Sequence, residues 1–322
     1  MRALITGVTG FAGSHLAEYL VASTDLEVWG TDIRCNDRNI AQIGDKLHFV
    51  VADISQPEAA NEMLQEARPD YVFHLAAQAF VPLSWRDPWQ TMANNIRAQL
   101  NILQSMAESG IKPRALVVGS ADEYGMIAPD ELPISEATAL RPYSPYAVSK
   151  IAQDMLGYQY FVSHALPVIR VRPFNHIGPR QSPLFVTSDF ARQIAEIEAG
   201  SREPEIHVGN LESKRDFTDV RDIVRGYHLA LQRGEPGEVY NLGAERAYSI
   251  QEILEILLAM TDAEIEVVPD PARLRPSDVP IVVSDCSKFR RQTGWRPTIS
   301  LQDSLRDILT YWRDRVKQDR GG

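Results

Sequence analysis

The chain has 322 residues, 24% charged and 44% hydrophobic, with a formal charge of −10 at neutral pH. Such a composition excludes a disordered or collagen-like polymer, and the acidic balance argues against a broad electrostatic grip on nucleic acid, so no nucleic-acid partner is expected. Cys35 and Cys286, the only cysteines, lie in no CxxC or Cys-x-x-His pattern, which implies neither a disulfide framework nor a metal site. The first apolar run, Ala3-Leu4-Ile5, is far shorter than the core of a signal peptide. The longest later one, Leu254 to Met260, falls well short of the roughly 20 residues that span a bilayer. A cytoplasmic protein with no membrane partner is the expectation.

In chain order, Arg2–Thr6 reads as a strand and Gly13–Ala22 as a helix with Leu16, Ala17 and Leu20 on one face. Strand-like runs recur at Glu27–Asp32, Leu47–Asp53, Tyr71–Leu75, Ala115–Ser120 and Val168–Arg172, with helical patterns at Pro57–Ala67, Pro88–Ser109 and Tyr146–His164 between them. This alternation predicts an α/β fold, a doubly wound parallel sheet with helices on both faces. The apolar runs Val72-Phe73 and Leu116-Val117-Val118 suit strands buried on both sides. After about Asn175 the rhythm breaks at the Pro179–Pro183 loop, the Gly200–Glu205 turn and the Asp270–Pro280 stretch. A second, smaller α/β unit is therefore expected. The division is 1–176 plus about 216–243 for the sheet domain, and about 177–215 and 244–322 for the second.

Thr6-Gly7-Val8-Thr9-Gly10-Phe11-Ala12-Gly13 joins the first strand to the first helix. Glycines there permit a tight turn and let backbone N–H groups reach a pyrophosphate at the helix N-terminus. Gly7, Thr9, Gly10, Phe11, Ala12 and Gly13 are the candidate dinucleotide contacts. Asp32 ends the next strand, where a carboxylate can hold both adenosine ribose hydroxyls; this favours NAD(H) over NADP(H). Arg34 and Arg38 follow closely and can attract a 2′-phosphate, which leaves NAD(P)H as the cofactor class. Asp53, beside Ile54, either touches the adenine or caps the next helix. Leu75, Ala76 and Ala77 are small enough for close cofactor approach, while the preceding His74 reads as a core histidine.

Tyr146 and Lys150, four residues apart, share a helix face. A nearby ammonium stabilises tyrosinate and lowers the phenol's pKa, so that it can exchange a proton with an alcohol near neutral pH. Ser120, at the end of a strand facing the same edge, can polarise a carbonyl. Together these groups suit hydride transfer to a ketone.

Taken with His74–Gln78 (HLAAQ), Gly119–Gly125 (GSADEYG), Ser144–Lys150 (SPYAVSK) and Thr293–Pro297 (TGWRP), these motifs make the chain resemble the extended short-chain dehydrogenase/reductase (NAD-dependent epimerase/dehydratase) family over essentially its whole length. The resemblance implies a Rossmann domain with a nicotinamide cofactor, a C-terminal domain for a nucleotide sugar, and Ser120, Tyr146 and Lys150 as the catalytic set. Arg172–Ser182, Val208–Asp222 and Arg273–Pro280 are similar to the members acting on GDP-linked mannose derivatives. The implied activity is reduction of the C4 ketone of GDP-4-keto-6-deoxy-D-mannose to GDP-D-rhamnose, with GDP-mannose 4,6-dehydration or 4-epimerisation as alternatives. Elimination needs a further acid and base. In the family's dehydratases these follow the active-site Ser or Thr, where this chain has Ala121 and Asp122. Asp122 is therefore the remaining catalytic candidate, and Glu123 points the other way if the segment is extended. Epimerising reductases of the family use a cysteine that is absent there.

An anionic substrate in an acidic protein needs local cations. Candidates are Arg172, Arg180, Lys214, Arg215, Arg273 and Arg275, with Arg215 and Arg275 preferred because the resemblance places them in diphosphate-binding segments. Asn175 can donate to the diphosphate or sugar, and Pro173 and Phe174 pack near the nicotinamide. Gln78, Ser84, Arg180 and Val208 complete the substrate candidates, and His176 is either a contact or a structural loop residue. Helices near 88–109 and 146–164 carry apolar residues on more than one face, including Ile96, Leu100, Leu103, Met155, Tyr158, Phe161 and Val162. In the family such helices make a four-helix homodimer interface.

Overall fold

Why the chain forms a doubly wound sheet is visible in its first strand, β1 (Arg2–Thr6). Ala3 and Ile5 enter one apolar cluster and Leu4 the other, so side-chain alternation feeds both faces. The computed structural model describes residues 1–34, 38–273 and 279–321. After β1 come α1 (Phe11–Ser23), β2 (Glu27–Asp32), β3 (Leu47–Val51), α2 (Pro57–Ala67), β4 (Tyr71–His74), α3 (Val81–Arg86), α4 (Pro88–Glu108), β5 (Arg114–Val118), α5 (Pro145–His164) and β6 (Val168–Pro173). The strand and helix ends lie within about two residues of those read from the sequence, as helix and strand ends commonly do.

The later chain contributes β7 (Asn175–Ile177), α6 (Val186–Glu198), β8 (Glu205–Val208), β9 (Lys214–Asp219), α7 (Val220–Arg233) and β10 (Val239–Leu242). It ends with β11 (Ala247–Ser249), α8 (Ile250–Leu258), β12 (Glu266–Pro269), α9 (Ser287–Thr293) and α10 (Leu301–Gly321). The seven-stranded sheet runs β3-β2-β1-β4-β5-β6-β10, every pair parallel. Strand order reverses between β1 and β4, so a crevice opens at their carboxyl ends. α1 and α7 cover one face; α2, α4 and α5 cover the other. Val72 packs to one side and Phe73 to the other, as strands buried on both faces require.

A third apolar cluster joins α6, α8 and α10 to β8 and β9, apart from the sheet's two clusters. Small sheets β11-β9-β7 and β12-β8 border it. α7 and β10 return to the large sheet, β10 pairing with β6 from Val239↔Arg170 to Leu242↔Pro173. The Thr293–Pro297 motif is a staple. Trp295 is buried, packs on Phe289 and donates its indole N–H to the Asp222 carbonyl at 3.0 Å. The Asp222 carboxylate accepts the N–H groups of Thr298 and Ile299. No helix among the described residues is long and apolar enough to cross a membrane.

Candidate active site

The crevice at the strand reversal is a cleft of about 1750 Å³ reaching from the α1 N-terminus to the second unit. A single small-molecule pocket occupies roughly 300–1,000 Å³, so there is room for a dinucleotide and a second ligand. At one end lies the glycine-rich turn. Gly7 has φ +71°, and a Cβ there would come within 2.9 Å of the Ala76 backbone. A Cβ on Gly13 would overlap the Gly7 carbonyl. These contacts let β1, the turn and the loop after β4 meet around the cleft. α1 starts at Gly10 with no side-chain cap, leaving its first N–H groups for a bound anion. The donor set and the close backbone fit a dinucleotide pyrophosphate.

Gly7, Gly10, Phe11, Ala12, Gly13, Asp32, Asp53, Ile54, Leu75, Ala76, Ala77, Tyr146, Lys150, Pro173 and Phe174 all line the cleft. Thr9 is buried just behind it and donates its hydroxyl to Asp32 Oδ2 at 2.7 Å, while Ile33 N–H donates to Oδ1 at 2.8 Å. These bonds orient the Asp32 carboxylate toward the turn. Asp53 stands two residues beyond β3 and accepts the Ser55 N–H at 3.0 Å; a hydrogen bond with the Ser55 side chain, aided by this backbone bond, holds its carboxyl below the usual carboxylate range. It thus shapes the turn before α2 and also faces the cleft. Arg34 is exposed and does not line the cleft. His74 is a core histidine; its Nδ1 pairs with Thr6 Oγ1 at 2.9 Å, and burial lowers its pKa to about 3.

Ser144 caps α5 by accepting the Ala147 N–H, and Pro145 opens the first turn. Tyr146 therefore sits at the helix start and Lys150 one turn on. Lys150 Nζ donates to the Val118 carbonyl at 2.9 Å and lies 5.9 Å from the Tyr146 ring centroid. Burial pulls its pKa down to about 8, opposed by the charge of Glu123. Ser120 hydrogen-bonds the Tyr146 phenol. The expectation that Lys150 depresses this phenol needs correction. Burial, followed by the charge of Asp122, raises Tyr146 above its ordinary value, against the pull of Ser120. The phenol is therefore held protonated.

Ser120 lies past the end of β5 and caps a short 3₁₀ turn, Ala121–Glu123; this segment is not extended. Glu123 nevertheless turns away from the cleft and is fully buried, with Oε1 accepting the Ser120 N–H at 2.8 Å. Ala121, Asp122, Asn175 and Arg215 meet in a side chamber together with Tyr143 and Val279. Arg215 donates to the Val279 carbonyl at 2.7 Å.

Other substrate candidates are displaced. The Ser84 hydroxyl is buried and donates to the Val81 carbonyl at 2.7 Å, so it does not reach the cleft. The guanidinium of Arg180 clasps Glu18 at 2.6 and 2.7 Å and donates to the Asn39 carbonyl, tying its loop to α1 instead of facing a ligand. Val208 is buried in the second unit's core, and its successors Gly209 and Asn210 line the cleft instead. Arg172 is buried against Asp154 and is no phosphate ligand. Arg275 lies outside the described residues, as does Cys35. Gln78 lines the cleft, and its N–H donates to Asn95 Oδ1 at 2.7 Å. His176 also lines it, stacked on Phe11 with centroids 5.8 Å apart.

Sequence reasoning missed several lining residues. Arg192 and Arg97 bring cations to the cleft, and Phe80, Phe185, Trp85 and Trp89 bring aromatic wall. Asn95 is a hidden organiser, bonding the Gln78 backbone and Ser149 on α5. No motif marks these positions, because they converge from α3, α4 and α6 only in the folded chain. Among the described residues no group of three or more His, Cys, Asp or Glu side chains is placed to hold a metal ion.

A family model described as GDP-mannose 4,6 dehydratase matches residues 4–308. A curated relative, the GDP-6-deoxy-D-mannose reductase of Pseudomonas aeruginosa, is 36% identical over 99% of both chains. The GDP-mannose 4,6-dehydratase of Vibrio cholerae is 28% identical over 96% of this chain and 92% of its own. Among solved structures, RMD from Pseudomonas aeruginosa complexed with NADPH superposes with a TM-score of 0.86 at 35% identity, covering 98% of this chain and 99% of that one.

Proposed function

The chain belongs to the GDP-mannose 4,6-dehydratase family, and from that premise we propose that it is a nucleotide-sugar reductase. It reduces the C4 ketone of GDP-4-keto-6-deoxy-D-mannose with NAD(P)H to give GDP-D-rhamnose. The observation that carries reduction over elimination is the wall beside Ser120. Ala121 has no ionisable group and Glu123 is buried away from the cleft, so that turn presents one carboxyl, Asp122, to the cleft where elimination needs both an acid and a base. The Pseudomonas reductase, similar over nearly the whole length, supports the same reading.

A bound nicotinamide would supply hydride to C4. Tyr146, kept protonated by burial, gives its proton to the developing alkoxide. Ser120 hydrogen-bonds the same oxygen, which stabilises charge as it forms. Lys150, fixed by the Val118 carbonyl, provides the adjacent ammonium and a ribose contact. Gly7, Thr9, Gly10, Phe11, Ala12, Gly13, Asp32, Asp53, Ile54, Leu75, Ala76, Ala77, Pro173 and Phe174 form the cofactor half. Gln78, Asp122, Asn175 and Arg215, joined by Arg192 and Arg273, form the sugar-nucleotide half. In this reading residues 1–176 and about 216–243 hold the dinucleotide, and about 177–215 and 244–322 close over the GDP-sugar, which also meets Gln78, Asp122 and Asn175 of the first unit. Asp32 works toward NAD(H); the NADPH seen in RMD works toward NADP(H).

A second reading, GDP-mannose 4,6-dehydration, is favoured by Asp122 and by the Vibrio dehydratase. One experiment separates them. The purified protein receives GDP-mannose with NAD(P)⁺ in one tube and GDP-4-keto-6-deoxymannose with NAD(P)H in the other, the sugar products being identified by NMR. Cofactor oxidation with formation of GDP-rhamnose is expected in the second tube. A keto-sugar in the first overturns the reductase in favour of the dehydratase.

The protein is also proposed to be a homodimer through α4 and α5. Leu100 and Leu103 are taken up by the subunit's own core, but Val148, Met155, Tyr158 and Val162 leave an apolar stripe on α5 exposed. Light scattering at micromolar concentration is expected to give twice the chain mass.

A further inference from the structure

Behind the catalytic set, on the side away from the cleft, lies a dry ionic cluster that the proposed chemistry does not use. Arg170 and Arg172, two apart on β6, project to the same side of the sheet. Both bind Asp154 of α5, Arg172 at 2.7 Å. Arg172 Nε also stands 3.0 Å from Glu123 Oε2, and its Nη1 donates to Tyr124 Oη at 3.1 Å. Glu123, Asp154, Arg170, Arg172 and Tyr124 are each less than a tenth exposed. Buried charges are costly unless matched, and here Asp154 faces both guanidiniums while Glu123 faces Arg172.

Glu123 joins this cluster to the reacting groups. Its Oε1 holds the Ser120 N–H, while the Ser120 hydroxyl accepts the Asp122 N–H at 3.1 Å. The reciprocal pair rigidifies the turn that carries the Ser120 hydroxyl. Gly119 leaves the space for it, since a Cβ there would overlap the Glu123 carboxylate. Glu123 Oε2 is fully buried, and the neighbour it faces is the Arg172 guanidinium.

We propose that Glu123 is a positioning residue, which fixes the backbone of Ser120 and couples the Tyr146–Lys150 pair to the Asp154–Arg172 cluster. The inference rests on reading Ser120, Tyr146 and Lys150 as the reacting set. The groups facing Glu123 are Lys150, Tyr146 and Asp154 from α5, Arg172 from β6, and Tyr124 on its own turn. Burial and Asp154 push its carboxyl up, and Arg172 pulls it down. Its anion in turn raises the Lys150 ammonium against the downward pull of burial. Protonation of the two groups is thereby linked.

The test uses the full-length chain with isotope-labelled lysine and follows Lys150 by NMR against pH, beside kinetics of keto-sugar reduction. In the unchanged protein the expected Lys150 midpoint is the value of about 8 to which burial pulls it. Glu123→Gln keeps an acceptor for the Ser120 N–H and removes the charge. Its Lys150 midpoint is expected to fall by roughly one pH unit, and the alkaline limb of kcat/KM with it. Glu123→Asp keeps the charge but withdraws the carboxylate by one methylene. Its Lys150 midpoint is expected to stay, with kcat lowered at least about tenfold and KM little changed. An unmoved Lys150 midpoint in Glu123→Gln, or wild-type kcat in Glu123→Asp, overturns the proposal, as does a drop in thermal stability alone. The NMR titration needs no substrate, so failure of the reductase reading leaves it intact and readable.

Discussion

Replacing Tyr146 by Phe removes one oxygen from the middle of the site and little else. The ring keeps its packing in a position 7% exposed, and Lys150 keeps its bond to the Val118 carbonyl. What disappears is the proton donor and its hydrogen bond with Ser120. A positioned general acid accelerates proton transfer by about 10²–10⁴-fold, which corresponds to about 3–5 kcal/mol of activation free energy. The lost hydrogen bond costs the fold only about 1 kcal/mol. The expected phenotype is therefore a kcat lowered at least about a hundredfold, with cofactor affinity and KM for the keto-sugar nearly unchanged. Nicotinamide absorbance gives kcat and KM, fluorescence titration gives cofactor affinity, and thermal unfolding checks the fold. Turnover within tenfold of wild type, in a folded variant that still binds cofactor, would refute the assignment of Tyr146 as the donor.

Asp154→Asn leaves Arg170 and Arg172 buried with one carboxylate fewer, so unfolding in urea at neutral pH should show a loss of about 3–5 kcal/mol. Ser84→Ala should leave KM for the sugar nucleotide within about twofold, because its buried hydroxyl donates to the Val81 carbonyl, at about 1 kcal/mol of stability. Arg215→Met should raise that KM at least about tenfold, as expected for one charge-assisted phosphate contact; equal effects from the two would contradict the placement of the sugar half. Gly7→Ala sets a Cβ against Ala76 at a positive φ, and cofactor affinity in a fluorescence titration should fall at least about tenfold.

Local features of the chain declared themselves early. The apolar strands, the glycine turn, Ser120 and the Tyr146/Lys150 spacing depend on neighbours within a few residues, and periodicity reports such neighbours directly. The assignment of about 216–243 to the sheet domain likewise came from the sequence, and α7 and β10 lie within that stretch. Where long side chains find their partners was not. Arg172 and Arg180 were candidate phosphate ligands beside the preferred Arg215. The fold gives the first to Asp154 and the second to Glu18, while Arg215 stays on the cleft wall. Ser84 and Val208 failed for a related reason. A one-residue difference in direction on a helix or strand moves a side chain from cleft to core.

Sequence alone thus determined the α/β class and marked the cofactor turn and the proposed reacting groups, through short motifs and their resemblance to a family. Tertiary structure decided which charges are buried away from the cleft and which line it. It also decided the protonation of the site. Tyr146 rises where spacing alone predicted a fall, because desolvation by the surrounding fold, followed by the charge of Asp122, pushes it up. Burial is a property of the whole chain's packing, and no local motif carries it.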